Sequence, residues 1–196
     1  NDDMRQKHLN QDVDKNPNAL GLDYVDLYLI HWPVENYFES WKCMEKILAS
    51  GKARAIGVSN FQTRHLDKIL AESDVVPAAN QIEIHPHLTQ EPLRKYCEDK
   101  GIALEAYSPL GGQGSTVLSD PVMKKIGDKH GKSPAQVALR WDLQHGIITI
   151  PKSVHQKRIV ENAQVFDFEL GADEMAAIDA LNRNERNGAD PDNFDF

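Results

Sequence analysis

The sequence predicts an α/β fold, a β/α barrel built on a parallel sheet, and three observations predict it. Short apolar runs suited to buried strands alternate strictly with segments whose apolar residues recur at helical spacing. The runs return about every 25 residues and each ends in polar residues, as in a barrel whose strand ends carry its loops. Parallel strands need crossover helices, and the alternation supplies them. An open doubly wound sheet would place a G-x-G-x-x-G turn after its first strand, and no such turn follows a strand here.

The elements follow in order. Leu20 to Asp23 leads into a strand that begins at Val25 and ends at His31, with Trp32 and Pro33 behind it. Pro33 stops the ladder because it has no N–H to donate. A histidine at a buried strand's carboxyl end sits where α/β enzymes keep their chemistry, and a satisfied structural histidine fits the same position. Phe38, Trp41, Glu45 and Leu48 then recur at helical spacing, with Met44 and Ile47 on the same flank and Gly51 as C-cap. Ala53–Val58 is the second strand, ending at Ser59 and Asn60, before a helix using Leu66, Ile69 and Leu70. Ala79–Ile84 is the third, ending at His85 and Pro86, before a helix from Glu91 that stops at Gly101.

Ile102–Tyr107 is the fourth strand, ending at Ser108 and Pro109. Gly111, Gly112, Gln113 and Gly114 follow, and taken alone this cluster reads as a mobile loop. A helix around Val122–Ile126 precedes another from Ser133, the N-cap, with Pro134 at its first position. Ile147–Ile150 is the fifth strand, ending at Pro151, Lys152 and Ser153, and helices over 155–163 and 173–182 close the pattern. The chain reads as one domain over 1–196. Residues 1–19 form an irregular segment broken at Asn16, Pro17 and Asn18, and 183–196 form an acidic, flexible tail near the substrate pocket.

Composition removes several function classes. With 196 residues, 40% hydrophobic and 27% charged, the chain suits one globular domain. A net charge of -8 leaves no basic field for nucleic acid or an anionic membrane, so any bound anion needs local basic groups. Cys43 and Cys97 read as reduced, buried small hydrophobes of a cytoplasmic protein, without metal-like spacing. No apolar run has membrane-spanning length, and the first residues lack a leader pattern.

The segments L-G-L-D-Y-V-D-L-Y-L-I-H-W-P, G-K-A-R-A-I-G-V-S-N-F, N-Q-I-E-I-H-P, A-Y-S-P-L-G, K-S-P-A-Q-V-A-L-R-W and I-P-K-S resemble, in order and spacing, those of the aldo-keto reductase family, over residues 20–196. The tail D-P-D-N-F-D-F is most similar to bacterial and fungal members that reduce diketo acids and glyoxals. The resemblance implies a (β/α)8 TIM barrel, here strands 4 to 8 with their helices, and an oxidoreductase that uses NADPH to reduce aldehydes and ketones without a Rossmann fold. It implies that His31 orients and polarises the substrate carbonyl and that Trp32 walls the substrate pocket. Ser59, Asn60 and Gln81 match residues that hydrogen-bond the nicotinamide carboxamide, and Tyr107 matches the ring stacked on the nicotinamide. Ser108, Pro109 and Leu110 match the segment over the pyrophosphate. Lys152, Ser153, Val154 and Arg158 match the clamp on the adenosine 2′-phosphate of NADP, and Glu161 with Asn162 the adenine contacts. No metal is implied.

The physical chemistry beside that resemblance is direct. A phosphate monoester is a dianion near neutrality, so Lys152 as a point charge and Arg158 as a planar fork make charge-assisted bonds to it. Plainer roles stand beside each assignment: solvated charges for Lys152 and Arg158, a helix cap for Ser59 and Asn60, a satisfied buried amide for Gln81, and barrel packing for Tyr107. His85 is read as structural. Gln81 and Glu83 share a strand face, which marks a polar pocket.

The family's catalytic Asp, Tyr and Lys belong to its first three βα units, which have no match in this sequence, and Tyr24, Tyr28, Tyr37, Tyr96 and Tyr107 match other parts of the pattern. No catalytic acid is therefore named, and a fragment or truncated form is expected. Five strands of eight would leave apolar edges near Leu29 and Ile148, open to pairing with another chain, whereas a complete barrel would be a monomer. A second reading is a non-catalytic NADPH-binding or interaction module. A small carbonyl compound is the expected substrate.

Overall fold

A computed structural model describes residues 21–193. The irregular segment expected over 1–19, its Asn16-Pro17-Asn18 break and the tail residues 194–196 lie outside the described residues. Five strands form one parallel sheet in the order β1-β2-β3-β4-β5: β1 Val25–Ile30, β2 Ala53–Ser59, β3 Ala79–Glu83, β4 Ala103–Tyr107 and β5 Ile148–Thr149. Helices alternate with them as the sequence predicts. No helix among the described residues is long and apolar enough to cross a membrane. Two compact units divide the chain inside β3, between Asn80 and Gln81.

In the first unit β1 pairs in parallel with β2 from Val25↔Ala53 to Ile30↔Val58. Helix α1, Tyr37–Ala49, buries Trp41, Met44 and Ile47, and burial of Met44 and Ile47 contributes roughly 1.5–3 kcal/mol each. Trp41 is fully enclosed, and its indole N–H donates to Ser73 Oγ at 3.1 Å. Cys43 on this helix is only half-buried, because it flanks the apolar stripe, whereas Cys97 is buried; neither is in a disulfide among the described residues. Only glycine fits at position 57. A Cβ there would lie 2.6 Å from the Ala79 carbonyl oxygen and 2.8 Å from Leu29 Cδ2.

The end of β2 turns sharply. Asn60 takes a left-handed φ of 64°, and its amide nitrogen donates to the His31 carbonyl at 3.1 Å and to Ser59 Oγ at 3.2 Å. Buried Asn80 holds the next residue, donating to the Phe61 carbonyl at 2.8 Å. Helix α2, Thr63–Glu72, begins with a reciprocal cap between Gln62 and His65, so neither Ser59 nor Asn60 is its N-cap.

The second unit continues with α3, Glu91–Asp99, a 3-10 turn at Val117–Ser119, α4, Pro121–His130, α5, Pro134–Gln144, α6, Gln156–Ala163, and α7, Ala172–Asp179. Asp120 caps α4 through the Val122 N–H at 2.9 Å. Ser133 caps α5, as expected, with Gln136 returning to the Ser133 N–H. Strand β5 is shorter than the expected Ile147–Ile150: the Ile147 N–H closes the turn onto the Asp142 carbonyl, and Pro151 has no N–H to extend the ladder. Its pairs are Glu105↔Ile148 and Ala106↔Thr149. The tail is bound rather than free at its start, since the N–H groups of Arg183 and Glu185 both donate to the His87 carbonyl.

Glu174, third residue of α7, accepts from the Gly171 N–H at 2.8 Å, from Lys129 at 2.7 Å and from His130 at 2.9 Å, joining α7 to the end of α4. Burial alone would raise its pKa, but these hydrogen bonds outweigh burial and bring it from 4.5 to about 2. A depressed acid stabilises the fold above its unfolded value, and that contribution is lost as pH falls. Thermal stability should therefore fall between pH 4.5 and about 2, and Glu174→Gln should lower Tm at pH 7 by roughly 2–4 °C and flatten that acid slope. At the β2 turn, Asn60→Ala should cost roughly 1–2 kcal/mol of backbone strain beyond about 1 kcal/mol per lost hydrogen bond. Asn60→Gly loses only the hydrogen bonds. Equal losses for the two variants in urea unfolding would show that the backbone conformation contributes nothing.

Candidate functional site

The residues singled out in the sequence fall into two sets, one per unit. In the first, β1 ends at Ile30 and leaves His31 just beyond the strand, exposed rather than packed as a core histidine. Half-buried Trp32 lies beside it, the two rings 5.9 Å apart and tilted by 52°. Ser59 and Asn60 are buried, and the Asn60 amide fixes the His31 backbone. The arrangement offers an exposed imidazole and an indole face on a backbone held by hydrogen bonds.

In the second unit, Gln81 points to the neighbouring strand, where its amide nitrogen donates to Glu105. Tyr107 ends β4, half-buried. Burial first, and the charge of Glu83 second, push its hydroxyl up to about 12 against a hydrogen bond from Arg186. At neutral pH it is an intact phenol, suited to present a ring face rather than to release a proton. Ser108 then takes a left-handed φ of 49°, and its carbonyl accepts from the Gly111 N–H at 2.7 Å, closing a tight turn around buried Pro109 and half-buried Leu110. Gly111 needs to be glycine: its φ is 86°, and an added Cβ would run into Ser115.

Leu110 lies on the wall of a cleft of about 530 Å³. Lys152, Ser153, Val154 and Arg158 line it from the segment after β5, and Glu161 and Asn162 from later in α6. Seven residues chosen from the sequence therefore face one cavity, of a size that suits a small-molecule ligand. Ser133 and Pro134, at the start of α5, also line the cleft. Their capping signal was visible in the sequence, their place on the wall was not.

The electrostatics of the cleft favour an anion. No side-chain hydrogen bond caps α6, its first turn holds no acidic residue, and it carries Lys157 and Arg158. Cations at a helix start oppose the macrodipole unless an anion joins them. Neither Lys152 nor Arg158 forms an ion pair among the described residues. The helix is braced from behind, where the Gln136 amide donates to the carbonyls of Glu161 at 3.1 Å and Gln164 at 3.0 Å.

Comparison with known proteins places this geometry. The sequence pattern of the aldo/keto reductase family matches residues 1–183, which takes in the first residues that the motifs had left unmatched and stops before the tail. An uncharacterized oxidoreductase of Bacillus subtilis, YtbE, is 57% identical over 180 residues, 91% of this chain and 64% of that protein. Glyoxal reductase of Bacillus subtilis is 54% identical over 184 residues, 93% of this chain and 66% of that protein. The chain thus spans just under two thirds of the length of these relatives. The crystal structure of a Bombyx mori aldo-keto reductase in complex with NADP superposes with a TM-score of 0.86 at 38% identity, covering 92% of this chain and 65% of that one. From the matching pattern and from relatives this similar, the chain belongs to the aldo/keto reductase family.

Proposed function

We propose that the chain binds NADPH and serves the reduction of small carbonyl compounds, glyoxal among them. The observation that carries this reading is the cleft in which Lys152 and Arg158 stand without carboxylate partners among the described residues, beside a start of α6 that no side chain caps. A 2′-phosphate fits that donor set, because it supplies the negative charge that two cations and a helix start lack. Glu161 and Asn162, farther along α6 on the same cleft, would meet an adenine edge, and Leu110 on its wall would lie with Ser108 and Pro109 over the pyrophosphate.

When bound, the nicotinamide supplies a hydride to the carbonyl carbon. The chain's own residues do the rest that is assigned to them. The Tyr107 ring would present its face to the nicotinamide, and Ser59, Asn60 and Gln81 would hydrogen-bond its carboxamide. His31 orients and polarises the carbonyl oxygen, and Trp32 limits the size of the substrate. None of the tyrosines is assigned the role of proton donor. The relative named glyoxal reductase supports the substrate class, and the NADP complex of the Bombyx mori protein supports the cofactor.

Tryptophan quenching by added cofactor tests the reading. Lys152→Ala and Arg158→Ala should each weaken NADPH binding roughly 10- to 100-fold, the worth of a charge-assisted hydrogen bond, and leave NADH binding unchanged. NADPH affinity that survives both substitutions would remove the 2′-phosphate from this cleft. NADPH consumption with glyoxal then tests the activity, and binding without consumption would confine the chain to cofactor binding.

A further inference from the structure

Glu83 ends β3 and is fully buried, yet it is ionised: burial would raise its pKa, but hydrogen bonds from His85 and from the Asn187 and Gly188 N–H groups prevail and lower it. His85 Nε2 lies 3.1 Å from Oε1, the Asn187 N–H donates to Oε1 at 2.8 Å, and the Gly188 N–H donates to Oε2 at 2.9 Å. Arg186 NH1 stands 3.8 Å from Oε2. One carboxylate thus receives two successive backbone N–H groups and faces a guanidinium, all from a segment about a hundred residues away in the chain.

That segment reaches two cofactor-site candidates. Arg186 hydrogen-bonds the Tyr107 hydroxyl, and the Asn187 side-chain amide donates to the Gly111 carbonyl. The approach at 188 is close: a Cβ there would lie 2.9 Å from Glu83 Oε2 and 3.2 Å from the Tyr107 hydroxyl, so one of these groups would have to shift. We propose that Glu83 is a positioning residue, anchoring segment 186–188 so that Arg186 holds the Tyr107 ring and Asn187 holds the Gly111 turn beside the cleft. The consequence for cofactor binding rests on the function proposed above. The anchoring itself does not.

Amide hydrogen exchange in the cofactor-free chain tests the anchor directly. In Glu83→Gln, one acceptor oxygen becomes an N–H₂ facing a donor, so the amides of Asn187, Gly188 and Gly111 should exchange at least about tenfold faster while those of α5 stay as they were. Asn187→Ala keeps the backbone anchor and cuts only the tie to Gly111, so exchange should rise at Gly111 alone; this variant decides the coupling if Glu83→Gln loosens α5 as well. Unchanged exchange at Gly111 in both variants overturns the proposal. Cofactor titration supplies the second readout. Both variants should weaken NADPH and NADH by the same factor, because Tyr107 and the Gly111 turn serve the part common to both, whereas a clamp variant affects NADPH alone. A selective loss of NADPH would overturn the positioning role. Should the unaltered chain bind neither cofactor, the proposed function fails and the exchange result still decides the anchor.

Discussion

Parallel pairing is the constraint on which the rest of the structure depends. A strand that runs parallel to its neighbour has to be reached by a crossover, so each strand of a pair delivers its last residues to the same end. β1 and β2 thereby deliver His31 and Asn60 close enough for a side-chain amide to reach a backbone carbonyl at 3.1 Å. β4 and β5 deliver the Ser108–Leu110 turn and the Lys152 segment, and Leu110 and Lys152 meet on one cleft. The tightness of the pairing is visible at Gly57, where backbone and side chain crowd both faces and a methyl group has no room.

Two buried carboxylates show how hydrogen-bond count decides ionisation. Glu83 receives two backbone N–H groups and a histidine, and is held below the usual carboxylate range despite burial. Asp142 on α5 is equally enclosed, but burial there prevails and raises its pKa well above the ordinary value. Its Oδ2 accepts from Thr149 Oγ1 at 3.0 Å, while Oδ1 has no hydrogen-bond partner among the described residues. Desolvation raises the pKa of both, and only at Glu83 do the hydrogen bonds outweigh it. Glu83 thus receives backbone donors, and Asp142 accepts from a side chain of β5.

The sequence made the strand ends legible because they carry local signals: His31-Trp32-Pro33, Ser59-Asn60 and Pro151-Lys152-Ser153 each mark a strand leaving the sheet. Helix starts were legible for the same reason, as Ser133-Pro134 with Gln136 shows. What escaped depends on contacts distant in sequence. Glu83 was placed on a polar strand face, but no pattern could show that Asn187 and Gly188 return to it, so the tail read as flexible. Strand β5 was overextended because Ile147 and Ile150 are as apolar as Ile148, and only the turn onto Asp142 shows where pairing begins.

Helix α6 carries much of the cleft and yet buries none of its residues, with Ile159 and Val160 both about half exposed. Its hold on the protein is polar and lies at its far end, where Gln136 grips the carbonyls of Glu161 and Gln164. A helix fastened that way has its polar tie at the carboxyl terminus and little apolar burial along its length. Its amino-terminal turn is therefore the part of the cleft wall with the least of the protein's own packing behind it, since Gln156, Lys157 and Arg158 are all exposed.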